Sequence, residues 1–134
     1  MDKNELMQRY AAGERIFRGI NLAGVELSHA ELAHVDLSRT NFSRALLNGA
    51  NLQQADLHGA DLCNANLAGA DLTNADLGAA ILLSADLTNA KLSGTNFTWA
   101  ALTEATPSNI DLSDSIVNRT ILPKGYASDG YKIE

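Results

Sequence analysis

The chain has a single cysteine, Cys63, among 134 residues, so no intramolecular disulfide can form, and the lone thiol fits a reducing compartment. Aromatic residues are scarce at 5%, although hydrophobic residues reach 46%. Much of that apolar content is Leu and Ala, which implies a narrow interior filled by repetition, not a jigsaw of large side chains. Positive charge is in deficit: ten Lys and Arg stand against sixteen Asp and Glu, for a net charge of −6 and a pI near 4.9. That balance disfavours nucleic acid or an anionic membrane as a direct partner. No apolar run approaches the ~18 residues that would suggest a membrane span. Behind Met1-Asp2-Lys3-Asn4-Glu5 there is no apolar stretch of signal-peptide length. A cytoplasmic protein is the expectation.

What the sequence does have is a period of five. From position 17 to position 122, every fifth residue gives 22 positions; seventeen are Leu, three are Phe (Phe17, Phe42, Phe97), and the others are Val117 and Pro107. Seventeen of the 20 leucines thus fall in one phase of five, which chance does not produce. Two residues before each centre the position is Ala in 13 of the 22 repeats, and the residue between is Asp or Asn in twelve. The two residues after the centre are small or polar, as in Thr73-Asn74 and Ser93-Gly94.

This period excludes both ordinary secondary structures. On an α-helix five residues rotate by about 500°, so successive leucines would scatter around the axis. On an unbroken strand, positions five apart fall on opposite faces, and half the leucines would face water. Within one repeat the pattern reads in, out, in, out, out. Alternation breaks once per repeat, so the chain turns a corner every five residues and must wind. Four roughly right-angled corners would close a square coil of about 20 residues, with coils stacked ~4.8 Å apart by parallel hydrogen bonds. Periodicity alone leaves the number of sides open.

The consensus Ala-(Asp/Asn)-Leu-x-x, seen in GANLQQADLHGADLCNANLAGADLTNADL, resembles the pentapeptide-repeat family over residues 15 to 124. The opening ELMQRYAAGERIFRGINL is similar to the helical cap and first repeat of many bacterial, especially cyanobacterial, members. The segment RTILPKG is similar to a common closing segment of such coils. The resemblance implies an all-β solenoid: a right-handed quadrilateral parallel β-helix of about five to six coils. It implies no single function, because most members have none assigned; some are DNA mimics that bind DNA gyrase. The expected organisation is an N-terminal capping helix over 1–14, the β-helix over 15–124 and a C-terminal tail over 125–134.

Both ends of such a rod are open sheet edges that need covers. Asp2 to Ala12 reads as a short helix, with Asp2 as N-cap, Glu5 three residues on, and Gly13 able to end it. Leu6, Met7 and Tyr10 share a side that should lid the first coil near Phe17. Pro107 stands at a core position, so Thr106-Pro107-Ser108-Asn109 should be a bulged or looped corner, with regular repeats resuming at Ile110-Asp111-Leu112.

Nothing in the sequence proposes a reaction, a cofactor or a metal. His29, His34 and His58 lack a zinc spacing, and Cys63, expected outward, has no positioned His beside it. The glycines are scattered over corners, so no phosphate-cradling loop is formed. Asp36, Asp56 and Asp76 form a vertical acidic ladder, followed by Asn96; the reading is solvated carboxylates that keep the rod soluble, since charges ~4.8 Å apart in water repel by only about 1 kcal/mol.

Two surface features carry functional readings. Ile81, Leu83, Trp99, Ala101 and Ile121 all fall in outward registers, and a cluster of this kind marks an interface with a protein partner or with a second copy as a homodimer. The competing reading is that the tail covers it, through Tyr126 or Tyr131. The second feature is acidity: between Ala45 and Ala90 there are five Asp and no Lys or Arg. At ~4.8 Å per coil that is about one charge per 2 Å of axis, against ~1.7 Å for duplex DNA. The alternative function is therefore a DNA-mimicking modulator of gyrase. Over residues 15 to 124 the balance is eleven acids to seven bases, which weakens it. The favoured reading is a non-catalytic protein-interaction scaffold.

Overall fold

In the computed structural model, which describes residues 1–126, the period of five becomes a period of twenty in space. Every fifth residue from Ile16 to Ala101 forms a parallel bridge with the residue 20 positions later, with the exception of Lys91. Four repeats therefore make one coil. The ladder from Ile16 to Ile121 carries the chain through about five coils, or roughly 25 Å of axis.

Each repeat joins the next coil by three backbone bonds. The Leu62 amide donates to the Ile81 carbonyl (2.7 Å), the Ile81 amide donates back to the Ala60 carbonyl (2.9 Å), and the Asn64 amide donates to the Leu83 carbonyl (2.8 Å). The corner is closed locally, with the Ala65 amide donating to the Leu62 carbonyl at 3.0 Å. Its third residue has a positive φ, 60° at Asn64, while the second does not, which defines a type II turn. Every corner from Gly19 to Glu104 repeats this geometry, even where His29, Arg44 or Trp99 occupies the left-handed position. At Gly49 and Gly94 a side chain would meet a further obstacle: an added Cβ would collide with the His29 ring or the Asn74 amide of the preceding coil, which would have to move.

The interior follows from the two inward phases. The central Leu and Phe side chains and the Ala two residues earlier are buried along most of the rod. Where Ala gives way to a hydroxyl residue, the group is satisfied by a carbonyl 23 residues earlier: Thr95 Oγ1 donates to Leu72 (2.8 Å), Thr120 to Phe97 (2.6 Å), Ser115 to Leu92 (2.8 Å). A buried hydroxyl without a partner would cost about 1–3 kcal/mol, so this pairing is what admits Thr to the core.

Helix α1, Lys3–Ala11, covers the first coil. The Asp2 carboxylate accepts from the Glu5 amide at 2.9 Å, and Gly13 follows the helix at φ 99°. Leu6 is fully buried, with Met7 and Tyr10 packed against the same core. Tyr10 donates its hydroxyl to the Ala33 carbonyl (2.8 Å), and the Arg15 guanidinium stacks 3.6 Å from the Tyr10 ring centre.

The regular ladder fails later than the sequence suggests. Ile110 and Leu112 are buried as expected, yet no Lys91–Asp111 bridge forms, and pairing resumes only at Ile116. Pro107 is half-buried and not in the core, its peptide bond with Thr106 is cis, and Asn109 and Asp114 do not take the positive φ of the other corners. The corner residues therefore do not return the backbone to its register until the following side. At the C-terminal end Tyr126 packs against the core; Tyr131 lies outside the described residues.

Candidate functional site

The coil converts sequence phase into four outward columns. The second side carries Asn21, Asn41, Asp61, Ile81, Ala101 and Ile121, joined in series by bridges. Its character thus changes from amide and carboxylate to hydrocarbon at Ile81. Ile81, Leu83 and Ile121 are exposed, and Ala101 is half-buried between the two isoleucines. Trp99 occupies the left-handed position of the corner leading into this side (φ 64°) and is 61% exposed. One coil on, Arg119 places its guanidinium 5.3 Å from the Trp99 ring centre, a cation–π contact that holds the ring at the surface.

Sequence reasoning missed Ile116. It ends the first side, after Asp36, Asp56, Asp76 and Asn96, and is 53% exposed on the other flank of the Trp99 corner. The signal was available, since an Ile in the Asp/Asn phase breaks the pattern there as it does at positions 81 and 121. Of the eight large hydrophobic residues exposed among those described, five lie at this corner and the side it leads into. Exposed hydrocarbon gathered at one end of a polar rod is what an interface requires. The described part of the tail ends with Tyr126 against the core.

The acidic ladder has a role that the sequence reading did not assign. Asp36, Asp56 and Asp76 are stacked by direct bridges, as expected, but they are half-buried, not freely solvated. The Oδ1 of each accepts the amide two residues on: Ser38 at 3.1 Å, His58 at 2.9 Å and Gly78 at 2.8 Å. Asn21, Asn41, Asn51, Asn66 and Asn96 make the same contact. The residue is there as a short side-chain acceptor that satisfies the first amide of the corner, an Asx turn. The free interchange of Asp and Asn in this phase already pointed to an acceptor and not a charge.

Charge is nonetheless retained. Burial pushes the Asp36 carboxyl upward, but the Ser38 amide and hydroxyl and the Arg18 guanidinium (2.6 Å) outweigh it and hold the group below the usual carboxylate range. Asp71 behaves alike, with burial opposed by Thr73, Lys91 and Gln53; Asp86 is lowered chiefly by Thr88. Cys63 is half-buried, and burial first, then Asp61, raises its pKa. Among the described residues no group of three or more His, Cys, Asp or Glu side chains could hold a metal ion, and no helix is long and apolar enough to cross a membrane.

Comparison with known proteins agrees with this geometry. The family described as pentapeptide repeats matches in 8 copies, over residues 15–44, 40–78 and 80–119. HetL, a pentapeptide repeat protein involved in heterocyst differentiation regulation in the cyanobacterium Nostoc sp. strain PCC 7120, is 38% identical, with a TM-score of 0.72 over 90% of this chain and 53% of HetL. The chain thus spans about half the length of that relative. A pentapeptide repeat protein of the Arabidopsis thaliana thylakoid lumen is 32% identical, with a TM-score of 0.69 over 73% of this chain and 68% of its own. Rfr23 of the cyanobacterium Cyanothece 51142 is 26% identical and covers 92% of this chain and 98% of its own, with a TM-score of 0.58. No curated protein matches the chain. The 20-residue coils, the repeated corners and these relatives have one explanation: the chain belongs to the pentapeptide repeat family of right-handed quadrilateral β-helices.

Proposed function

We propose that the protein is a non-catalytic docking scaffold in the cytoplasm whose contact surface is the apolar corner of Ile81, Leu83, Trp99, Ala101, Ile116 and Ile121. The observation that carries this reading is the change of the second side from polar to apolar at Ile81, in a phase filled elsewhere mostly by corner acceptors. The core at these positions is complete without them, so folding does not account for isoleucine and tryptophan facing out. A centrally placed aromatic ring rimmed by aliphatic side chains is the arrangement in which binding energy concentrates. The occupant is a protein: a distinct partner or a second copy.

The test is the double variant Ile81→Asp with Trp99→Asp. Thermal stability should be nearly unchanged, because both side chains are exposed. Mass in solution should fall if the corner joins two copies, and partner capture should be lost if it binds another protein. Unchanged mass together with unchanged partner binding refutes the reading.

A further inference from the structure

The fourth side carries bridges from Glu31 through Asn51 and Asp71 to Lys91, where they stop. The gap between the two coils is closed at both ends. At one end the Leu87 amide donates to the Thr106 carbonyl (2.8 Å). At the other, the Gly94 amide donates to the Asp114 carbonyl (2.8 Å), one residue later than the repeat requires. Between these points the amides of Asn89, Leu92 and Asp111 have no backbone partner among the described residues. One coil earlier their counterparts, Gly69, Leu72 and Lys91, are bonded at 2.8, 2.9 and 2.9 Å.

The opening is a cleft of about 360 Å³, room for about a dozen waters at bulk density and within the ~300–1,000 Å³ range of ligand pockets. It reaches the interior, since Leu92 is 8% exposed whereas Leu32, Leu52 and Leu72 of the same column are fully buried. Lys91 and Ser93 line it from one coil and Asp111, Ser113 and Asp114 from the next, with the Ser113 hydroxyl donating to Asp111 Oδ1 at 2.7 Å. The Asp114 carboxylate has no hydrogen bond or ion pair among the described residues, and Lys91 makes no ion pair there.

We propose that this cleft binds a short extended peptide segment carrying one basic side chain. The unpaired Leu92 and Asp111 amides at the cleft are those of an interrupted parallel ladder, and another extended backbone is the ligand whose carbonyls match them. Two carboxylates against one ammonium leave the lining at a charge of −1, which selects a Lys or Arg side chain. The free carboxylate of Asp114 is its anchor, and the exposed edges of Leu92 and Ala90 offer a small apolar contact beside it. The site lies on the side opposite the Ile81–Ala101–Ile121 column, so it is independent of the apolar corner.

The test is titration of the ¹⁵N-labelled full chain, followed by amide chemical shifts, with acetyl-Ala-Lys-Ala-amide. Acetyl-Ala-Glu-Ala-amide and lysinamide serve as the charge-reversed and amine-only probes. The lysine peptide should move the amides of Leu92, Ser93 and Asp111 to Ser115, saturating near about 1 mM, with the glutamate peptide at least about fivefold weaker. Asp114→Asn, at an exposed position, should leave the fold intact and weaken the lysine peptide about fivefold. The proposal is overturned by an absence of shifts at these amides up to about 10 mM, by equal binding of both peptides, or by unchanged binding in Asp114→Asn. Identical shifts from lysinamide alone would also overturn it, as they would make the cleft an amine site.

Discussion

Truncation of Leu62 to Ala probes how a coil supports its neighbours. Leu62 is fully buried in the second interior column, between Phe42 and Leu82. The coil on either side is pinned by backbone bonds at 2.7 Å, from the Phe42 amide to the Asp61 carbonyl and from the Leu62 amide to the Ile81 carbonyl. The coils cannot close over the void without lengthening those bonds, so the cavity should persist. Leu→Ala costs span about 2–5 kcal/mol, rising with the cavity that is left, and the upper half of that range is expected here. At this chain size that is a fall in Tm of roughly 10 °C or more. Because each coil touches only its neighbours, the defect should also separate the rod into two units. Hydrogen exchange should then report different opening energies for amides before and after residue 62. The control is Leu122→Ala, at a half-buried position in the last coil, expected to cost about 1 kcal/mol. A Leu62→Ala loss below about 1 kcal/mol, or one no larger than the control, would refute the idea that the ladder prevents collapse.

The remaining expectations concern the corners. Asp56→Asn should leave stability within about 0.5 kcal/mol of the parent, whereas Asp56→Ala, which strips the His58 amide of its acceptor, should lose about 1 kcal/mol by chemical denaturation. Gly94→Ala should cost about 1–2 kcal/mol for the left-handed backbone alone, and Asn74→Ala in the same chain should restore the part due to collision with the Asn74 amide, read as the coupling in a double-mutant cycle. The Asp36, Asp71 and Asp86 carboxyls lie below their ordinary range in the folded chain, so they bind protons more readily once unfolded. Their contribution is present above about pH 4 and is lost as pH falls through the folded values. Tm measured from pH 7 downward should therefore be flat until about pH 4 and then drop, with the triple Asn variant showing the smaller drop.

The coil was legible in the sequence because burial at a fixed phase is a one-dimensional signal. Leucine every fifth residue with alanine two before it leaves a winding chain as the one way to put both inside, and a resemblance in the same residues supplied the four sides. The N-terminal cover was legible for a similar reason, as Asp2, Glu5, Leu6 and Gly13 mark a helix start, a buried face and a stop within one short segment. The apolar corner was legible in part, since phase alone assigns Ile81, Ala101 and Ile121 to one column. Three things depended on the folded structure. The acceptor role of the aspartates depends on where a corner places an amide, which composition does not state. The extent of the break after Pro107 depends on how many residues the backbone needs to regain register, and Ile110 and Leu112 still look regular because both are buried while the ladder bonds of Asp111 between them are not made. The cleft beside Lys91 and the missing Lys91–Asp111 rung follow from that, because pairing across 20 residues is a property of two coils together and is written in neither one alone.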